Sequence, residues 1–330
     1  MCKSKLNMSA KITAVDASAF LSVSIQAIHK HLKSKQLDFE KNQNRVYFGH
    51  HTSKELFNLS FDPKIVGFQI VKGGTGKTSL AHSMSVRANL YGARVLCVDL
   101  DQQANLTQAF QINSEELPVM VDVLKDGVNI EDCIVNVSEG LDLIPSRIEN
   151  AILDNVIMLN RLPLDRVYRD RFIELKKRYD LIVIDCPPAL GQSVAAVALS
   201  ADMIIAPVTP EEFSLSGLKI STEEIANIER TYKTQIPLRL VLNKFDTRTS
   251  LSHEVLSTLI KHPVFGEKLF KTYIRTSQDF PNSITNEQSI FDVIKPTSAK
   301  EDVDLLTREI LDINKLKNQD VSLGTLGKAA

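Results

Sequence analysis

Nine consecutive residues, Val71-Lys72-Gly73-Gly74-Thr75-Gly76-Lys77-Thr78-Ser79, constrain this chain more than any others. They lie between an apolar run at 65–71 that reads as a buried strand and a stretch at 79–91 that reads as a helix. A glycine-rich turn at a strand-to-helix switch lets backbone N–H groups approach phosphate oxygens closely, and the helix N-terminus adds partial positive charge. In such a loop Lys77 reaches the β- and γ-phosphates and the Thr78 hydroxyl ligates Mg²⁺, with Gly73, Gly74, Thr75, Gly76 and Ser79 completing the cradle. The usual pattern has a glycine five residues before Gly76. Here that place is Val71, and an additional lysine, Lys72, opens the loop.

The surrounding chain alternates strands and helices. Buried strands are predicted at 65–71, 94–98, 141–144, 181–184, 203–207 and 238–242, with helical segments at 79–91, 165–178, 193–199, 216–232 and 251–260. Continuous apolar strands separated by helices predict an α/β fold, a mainly parallel sheet covered on both faces. Asp185 ends the strand at 181–184, where its carboxylate is placed to hold Mg²⁺ through a water. Asp101 follows the strand at 94–98 and is placed to orient the attacking water, with Asp99 behind it as a supporting partner of the metal site. The alternative for both Asp185 and Asp101 is structural, since acids at strand ends also cap the next helix.

Charge separates the first sixty residues from the rest. Residues 1–60 hold nine Lys/Arg against four Asp/Glu and four of the seven His, whereas 61–330 hold 30 against 36, although the whole chain nets only −1. A short helix at 13–21, a turn at 22–24 with Ser24 as N-cap and a second helix at 25–33 form a helix-turn-helix pattern. Ile25, Ile28 and Leu32 line one face of the second helix, leaving Gln26, His29 and Lys30 on the other as candidate DNA contacts. A strand-like run at 45–48 and a third helix at 53–59 follow, and the whole resembles the MerR and excisionase type of DNA-binding module. Its alternative is a small helical cap with a solvated basic face. Asp62-Pro63 marks the junction, because the residue before proline is pushed out of the helical region. The expected division is therefore 1–60, a DNA-binding or regulatory module; 61–318, the nucleotide-binding body; and 319–330, a loose tail.

Lys-Gly-Gly-Thr-Gly-Lys-Thr-Ser at 72–79 resembles the deviant phosphate loop of the ParA/MinD ATPases. The segment Asp99-Leu100-Asp101-Gln102-Gln103-Ala104-Asn105, the run ending Asp185-Cys186-Pro187-Pro188, and Pro207-Val208-Thr209-Pro210 with its following stretch to Leu218 match the same family in order, over about 64–315. The resemblance implies a P-loop ATPase using ATP and Mg²⁺, in which Lys72 crosses an ATP-dependent homodimer to the partner's phosphates. It also implies nonspecific DNA binding by the closed dimer, release on hydrolysis stimulated by a ParB-like centromere-binding partner, and operator binding through 1–60. Gln102 and Ala104 replace the family's proline and glycine, which points to slow hydrolysis. Asn243-Lys244-Phe245-Asp246 fits the guanine-reading N-K-x-D pattern, but by resemblance Asn243 contacts adenine, and the phosphate loop and proline pair favour ATP.

Lys261, Lys268, Lys271 and Arg275 against Glu267 form a basic patch in an otherwise acidic body, suited to phosphates without reading sequence. By resemblance Arg275 is its principal DNA contact, and a solvated face is the alternative. The cysteines at 2, 97, 133 and 186 show no C-x-x-C spacing, and the longest uncharged run, 186–201, is 16 residues and holds two prolines, too short for a membrane span. A bacterial cytoplasmic, nucleoid-associated protein is expected, with no membrane contact. Other classes remain: a membrane-surface ATPase resembling MinD, which needs a basic amphipathic C-terminal helix where 302–317 mixes Asp, Glu and Lys around Leu305, Leu306, Ile310 and Ile313 and suits packing onto the body; a metal-cluster reductase resembling the nitrogenase iron protein, for which the cysteines are poorly placed; and a nucleotide-regulated transcription regulator with little hydrolysis.

Overall fold

In the computed structural model, residues 10–42, 45–211, 214–292 and 295–313 are described, together with the side chains of all of them except 214–216 and 284. The first nine residues and the expected loose tail at 319–330 lie outside them. The strands are β1 (Ile12–Thr13), β2 (Glu40–Asn42), β3 (Arg45–Phe48), β4 (Lys64–Phe68), β5 (Val95–Asp99), β6 (Val135–Ser138), β7 (Leu141–Ile144), β8 (Leu181–Asp185), β9 (Met203–Val208) and β10 (Leu238–Leu242). The first helices are α1 (Ala14–Leu21), α2 (Ile25–Ser34), α3 (His50–Phe57), α4 (Lys77–Asn89), α5 (Asn105–Ala109), α6 (Met120–Lys125) and α7 (Leu153–Leu159). The remainder are α8 (Arg169–Leu175), α9 (Gln192–Ser200), α10 (Ser214–Tyr232), α11 (Ser250–Lys261), α12 (Phe265–Lys268), α13 (Asp279–Thr285) and α14 (Ser298–Ile310).

Strands β4 to β10 form one seven-stranded sheet in the order β10-β9-β4-β8-β5-β7-β6, parallel except for β6, which pairs antiparallel with β7 at the edge. Alternation along each strand divides the core between the two faces. Val66, Phe68, Val95, Cys97, Leu181 and Val183 pack toward α4 and α14. Their neighbours Ile65, Leu96, Val98, Ile182 and Ile184 pack toward the helices between α6 and α11. This is the α/β P-loop arrangement expected from the strand–helix alternation. The antiparallel edge strand β6 was not expected; Val135-Asn136-Val137-Ser138 is too short and polar to stand out.

Topology places the site. The registers Phe68–Asp185 and Asp99–Asp185 bring the carboxyl ends of β4, β8 and β5 side by side. That edge, where strand order reverses direction around the first strand, is where open α/β sheets bind ligands.

The N-terminal helices form at the expected positions, but Ile25, expected on the buried face of the second helix with Ile28 and Leu32, is exposed. Thr13 and Asp16 form a capping box on α1, Ser22 closes α1 with φ +56°, and Ser24 Oγ accepts from Ala27 N at 3.1 Å to start α2. The third helix begins at His50 rather than Ser53, and β1, β3 and β2 form a small antiparallel sheet beside it. The packing crosses the Asp62-Pro63 boundary: Ile12, Phe20, Ile28, Leu32, Phe48 and Phe57 belong to the same continuous core as β4, α4 and α14.

Candidate functional site

The loop between β4 and α4 wraps the end of the sheet. Gly74 and Gly76 have φ of +73° and +91°, and a Cβ at Gly76 would lie 2.3 Å from Asn243 Nδ2, so glycine is required there by conformation and by space. Asn243 Nδ2 donates to Thr75 O at 2.7 Å, and Lys244 Nζ donates to Gly74 O at 2.8 Å. The loop is thus braced from the end of β10 on both sides of its tip. Lys77, buried at the start of α4, has its ammonium pKa lowered by burial, opposed by the Asp185 carboxylate.

Thr78 Oγ1 donates to Asp185 Oδ2 at 2.6 Å, and Asp185 Oδ1 is buried with no partner. Burial raises the Asp185 pKa, reinforced by the Asp99 carboxylate and opposed by the Thr78 hydrogen bond and Lys77. A fully buried carboxylate holding one unsatisfied oxygen beside a threonine hydroxyl suits a divalent cation with oxygen ligands. The donor set therefore fits Mg²⁺ held by Thr78, and by Asp185 through water.

Two cavities open on this loop. The larger, about 560 Å³, is lined by the loop glycines, Lys77, Thr78, Asp101, Pro188 and Lys244, and extends past His82 and Gln108 to Ser283 and Glu287. The smaller, about 380 Å³, lies between Asn243 and the 275–281 segment. Together they offer a phosphate compartment and an adjoining compartment of hydroxyl, amide and ring surfaces.

Several expected roles change with the geometry. Asp101 does reach the larger cavity, with its Oδ1 also accepting from Gln103 N at 3.0 Å. Asp99 does not reach either cavity. Its carboxylate accepts from Thr107 N, Thr107 Oγ1 and Asp101 N at 2.9, 2.7 and 3.1 Å, so it braces the loop and α5 beside Asp185. Burial lifts its pKa to about 7 against these hydrogen bonds. Asn243 borders the smaller cavity, but its amide is engaged at both ends: Nδ2 by Thr75 O, Oδ1 by Lys244 N at 2.9 Å. Gln278, not singled out from sequence, joins Thr276 and Ser277 of the segment that follows Arg275 in the other polar wall of that cavity. Asp246 lines neither cavity. It pairs with the exposed Arg248 through bonds of 2.9 and 2.8 Å, so its position lends no support to an N-K-x-D reading for guanine.

Lys72 does not line either cavity; its ammonium pairs with Glu211 at the end of the β9 loop. Arg275 is also committed. Asp302 accepts from its Nε at 3.0 and 2.9 Å and from its Nη2 at 2.5 Å, Glu301 accepts from Nη2 at 2.7 Å, and the arginine borders the smaller cavity. Lys271 is exposed and Lys268 half-buried beside it. On α2, Gln26 and Lys30 are exposed and His29 is half-buried.

A parallel sheet with a glycine loop, a buried lysine and a threonine–aspartate pair at its carboxyl edge defines a P-loop nucleotide-binding protein. A family model described as "AAA domain" matches residues 63–238, beginning at the proline of the predicted junction. The sporulation initiation inhibitor protein Soj of Bacillus subtilis is 31% identical over 64% of this chain and 83% of its own length. A ParA family protein of Chlamydia trachomatis is 30% identical over 75% of this chain and 97% of its own. Among solved structures, an ATP complex of McdA from Cyanothece superposes with a TM-score of 0.68 at 19% identity, covering 77% of this chain and 98% of that one. A plasmid partition protein from Borrelia burgdorferi bound to AMPPNP gives 0.61 at 22% identity, covering 76% and 100%. The chain belongs to the ParA family of P-loop ATPases.

Proposed function

We propose that this protein is an ATP-driven DNA-partitioning switch in which ATP and Mg²⁺ bind at the 72–79 loop and close a homodimer. The observation that carries this reading is the position of Lys72. A loop lysine that pairs with Glu211 and does not line the phosphate compartment of its own chain supports a reading in which it acts on a second copy. The position of Asp246, lining neither cavity, lends no support to guanine as the base. Bound Mg²⁺ would neutralise developing charge on the terminal phosphates. Lys77 contacts those phosphates, Thr78 and Asp185 orient the ion's side of the site, and Asp101 positions the attacking water. The relatives named as ParA and plasmid partition proteins support DNA segregation as the purpose of the switch.

In this account the closed dimer holds DNA phosphates through the Lys268 and Lys271 surface, with Arg275 positioned beside it by its acidic clamp. A ParB-like partner stimulates hydrolysis and release. Residues 1–60 form a second, operator-reading surface through Gln26, His29 and Lys30. Among the described residues no helix is long and apolar enough to cross a membrane. Retention on arbitrary duplex DNA tests the proposal: ATP with Mg²⁺ retains the protein, whereas ADP and GTP do not. Equal retention in all three, or none with ATP, contradicts it.

A further inference from the structure

The elements that wall the two cavities meet again, far from the loop, at one buried cluster shared with the N-terminal unit. Helix α4 begins with Lys77 and Thr78 in the larger cavity and runs on to Asn89, with Arg87 in its last turn and Tyr91 just beyond. The segment 278–291 lines the smaller cavity with Phe280 and Pro281 and the larger with Ser283 and Glu287, then buries Phe291 within reach of Arg87, 5.7 Å from guanidinium to ring centroid. Helix α14 clamps the cavity-lining Arg275 with Asp302, and two residues later Asp304 accepts from Arg87 Nε at 2.5 Å and from Tyr91 Oη at 2.6 Å.

Tyr91 is the meeting point. Its hydroxyl also accepts from Arg87 Nη2 at 3.1 Å and Arg308 Nε at 2.6 Å, and its ring lies 5.0 Å from Phe20 of α1 and 5.8 Å from Phe57 of α3. Arg308 in turn stands 5.0 Å from the Phe20 ring. The joint is close-packed. A Cβ at Gly92 would fall 2.6 Å from Lys54 Cα, and His50 Nδ1 sits 2.9 Å from Asn89 O. Three routes from the nucleotide cavities therefore end on the surface that carries the helix-turn-helix unit. Close packing leaves this joint little slack with which to absorb a displacement of α4 or α14.

We propose that the Arg87–Tyr91–Asp304–Arg308 cluster couples occupancy of the nucleotide cavities to the seating of the N-terminal unit, so that α2 is presented differently with and without bound nucleotide. This rests on reading the 72–79 loop as the nucleotide site. Hydrogen exchange of the full chain, with and without ATPγS and Mg²⁺, tests both readings separately. Nucleotide should slow exchange at 71–79 and also change exchange in α1 and α3 by at least about threefold. Tyr91→Phe keeps the ring between Phe20 and Phe57 but removes the hydroxyl, and Asp304→Asn weakens the same node from the other side. Each should bind ATPγS within about twofold of the parent yet lose more than half of the change in α1 and α3. Protection at 71–79 without any change in α1 and α3 overturns the coupling and leaves the nucleotide site standing. Full transmission in both variants overturns the cluster's role, and no protection at 71–79 overturns both readings.

Discussion

Thr78 Oγ1 donates to one oxygen of Asp185 at 2.6 Å while the other oxygen of that buried carboxylate has no partner. Such a half-satisfied buried carboxylate costs free energy, and a bound cation recovers it. Asp185→Asn removes the charge with little change of volume. Mg²⁺ should strengthen ATP binding to the parent by about tenfold or more, and to Asp185→Asn by less than about twofold, as read by titration with and without EDTA. An unchanged Mg²⁺ effect would place the ion elsewhere.

Arg275 and Lys271 separate structure from DNA contact. Arg275→Ala leaves Asp302, which is only 4% exposed, with the residue 275 backbone N–H but without its guanidinium, so it should cost about 1–3 kcal/mol in urea unfolding, less than a fully buried pair because the arginine itself is part-exposed. Lys271→Glu should leave stability within about 0.5 kcal/mol and reduce ATP-dependent DNA retention, an effect that shrinks as salt rises. If only Arg275→Ala lost retention while remaining folded, the exposed lysines would not be the contact surface.

Buried His82, with Nε2 unpartnered, has its pKa depressed to about 4 by desolvation. Its folded value lies below the unfolded one, so the unfolded chain binds more protons between the two, and the stability present above pH 6.5 is lost as pH falls toward 4. From pH 7 to 5 the parent should lose ~2 kcal/mol more than His82→Leu in urea unfolding. Parallel pH profiles would show that His82 is not buried as a neutral ring.

Ala104 adopts φ +51°, a left-handed conformation at the position where the family pattern has glycine. Ala104→Gly should be neutral to stabilising, by up to ~1 kcal/mol, because relief of strain offsets the added unfolded-state entropy. It should also increase ATP turnover if this loop geometry slows Asp101. A loss of stability would mean that Ala104 is unstrained.

Most of the sheet and the phosphate loop were legible in the sequence because their signals are local. Apolar strands announce themselves over five residues, and a glycine turn between strand and helix carries its chemistry in one stretch. Asp185 was legible for the same reason, as the last residue of such a strand. What escaped depends on contacts distant in sequence. Asp302 stands 27 residues beyond Arg275, so a basic patch conceals an ion-paired clamp. Asp246 fits a guanine motif by spacing but turns to Arg248, two residues away in a loop of no regular period. Asp99 and Asp101 look alike at a strand end, and only Thr107 separates the brace from the cavity residue. Tyr91 reads as the end of a helix, with nothing nearby to show that Phe20 and Phe57 close on it.

Sedimentation velocity of the full chain with saturating ATPγS and Mg²⁺ tests the central claim most directly. The protein should sediment as a dimer with ATPγS and as a single chain with ADP, and Lys72→Ala should bind ATPγS yet stay single. A single chain in every condition, with ATPγS bound at the 72–79 loop, would contradict the account.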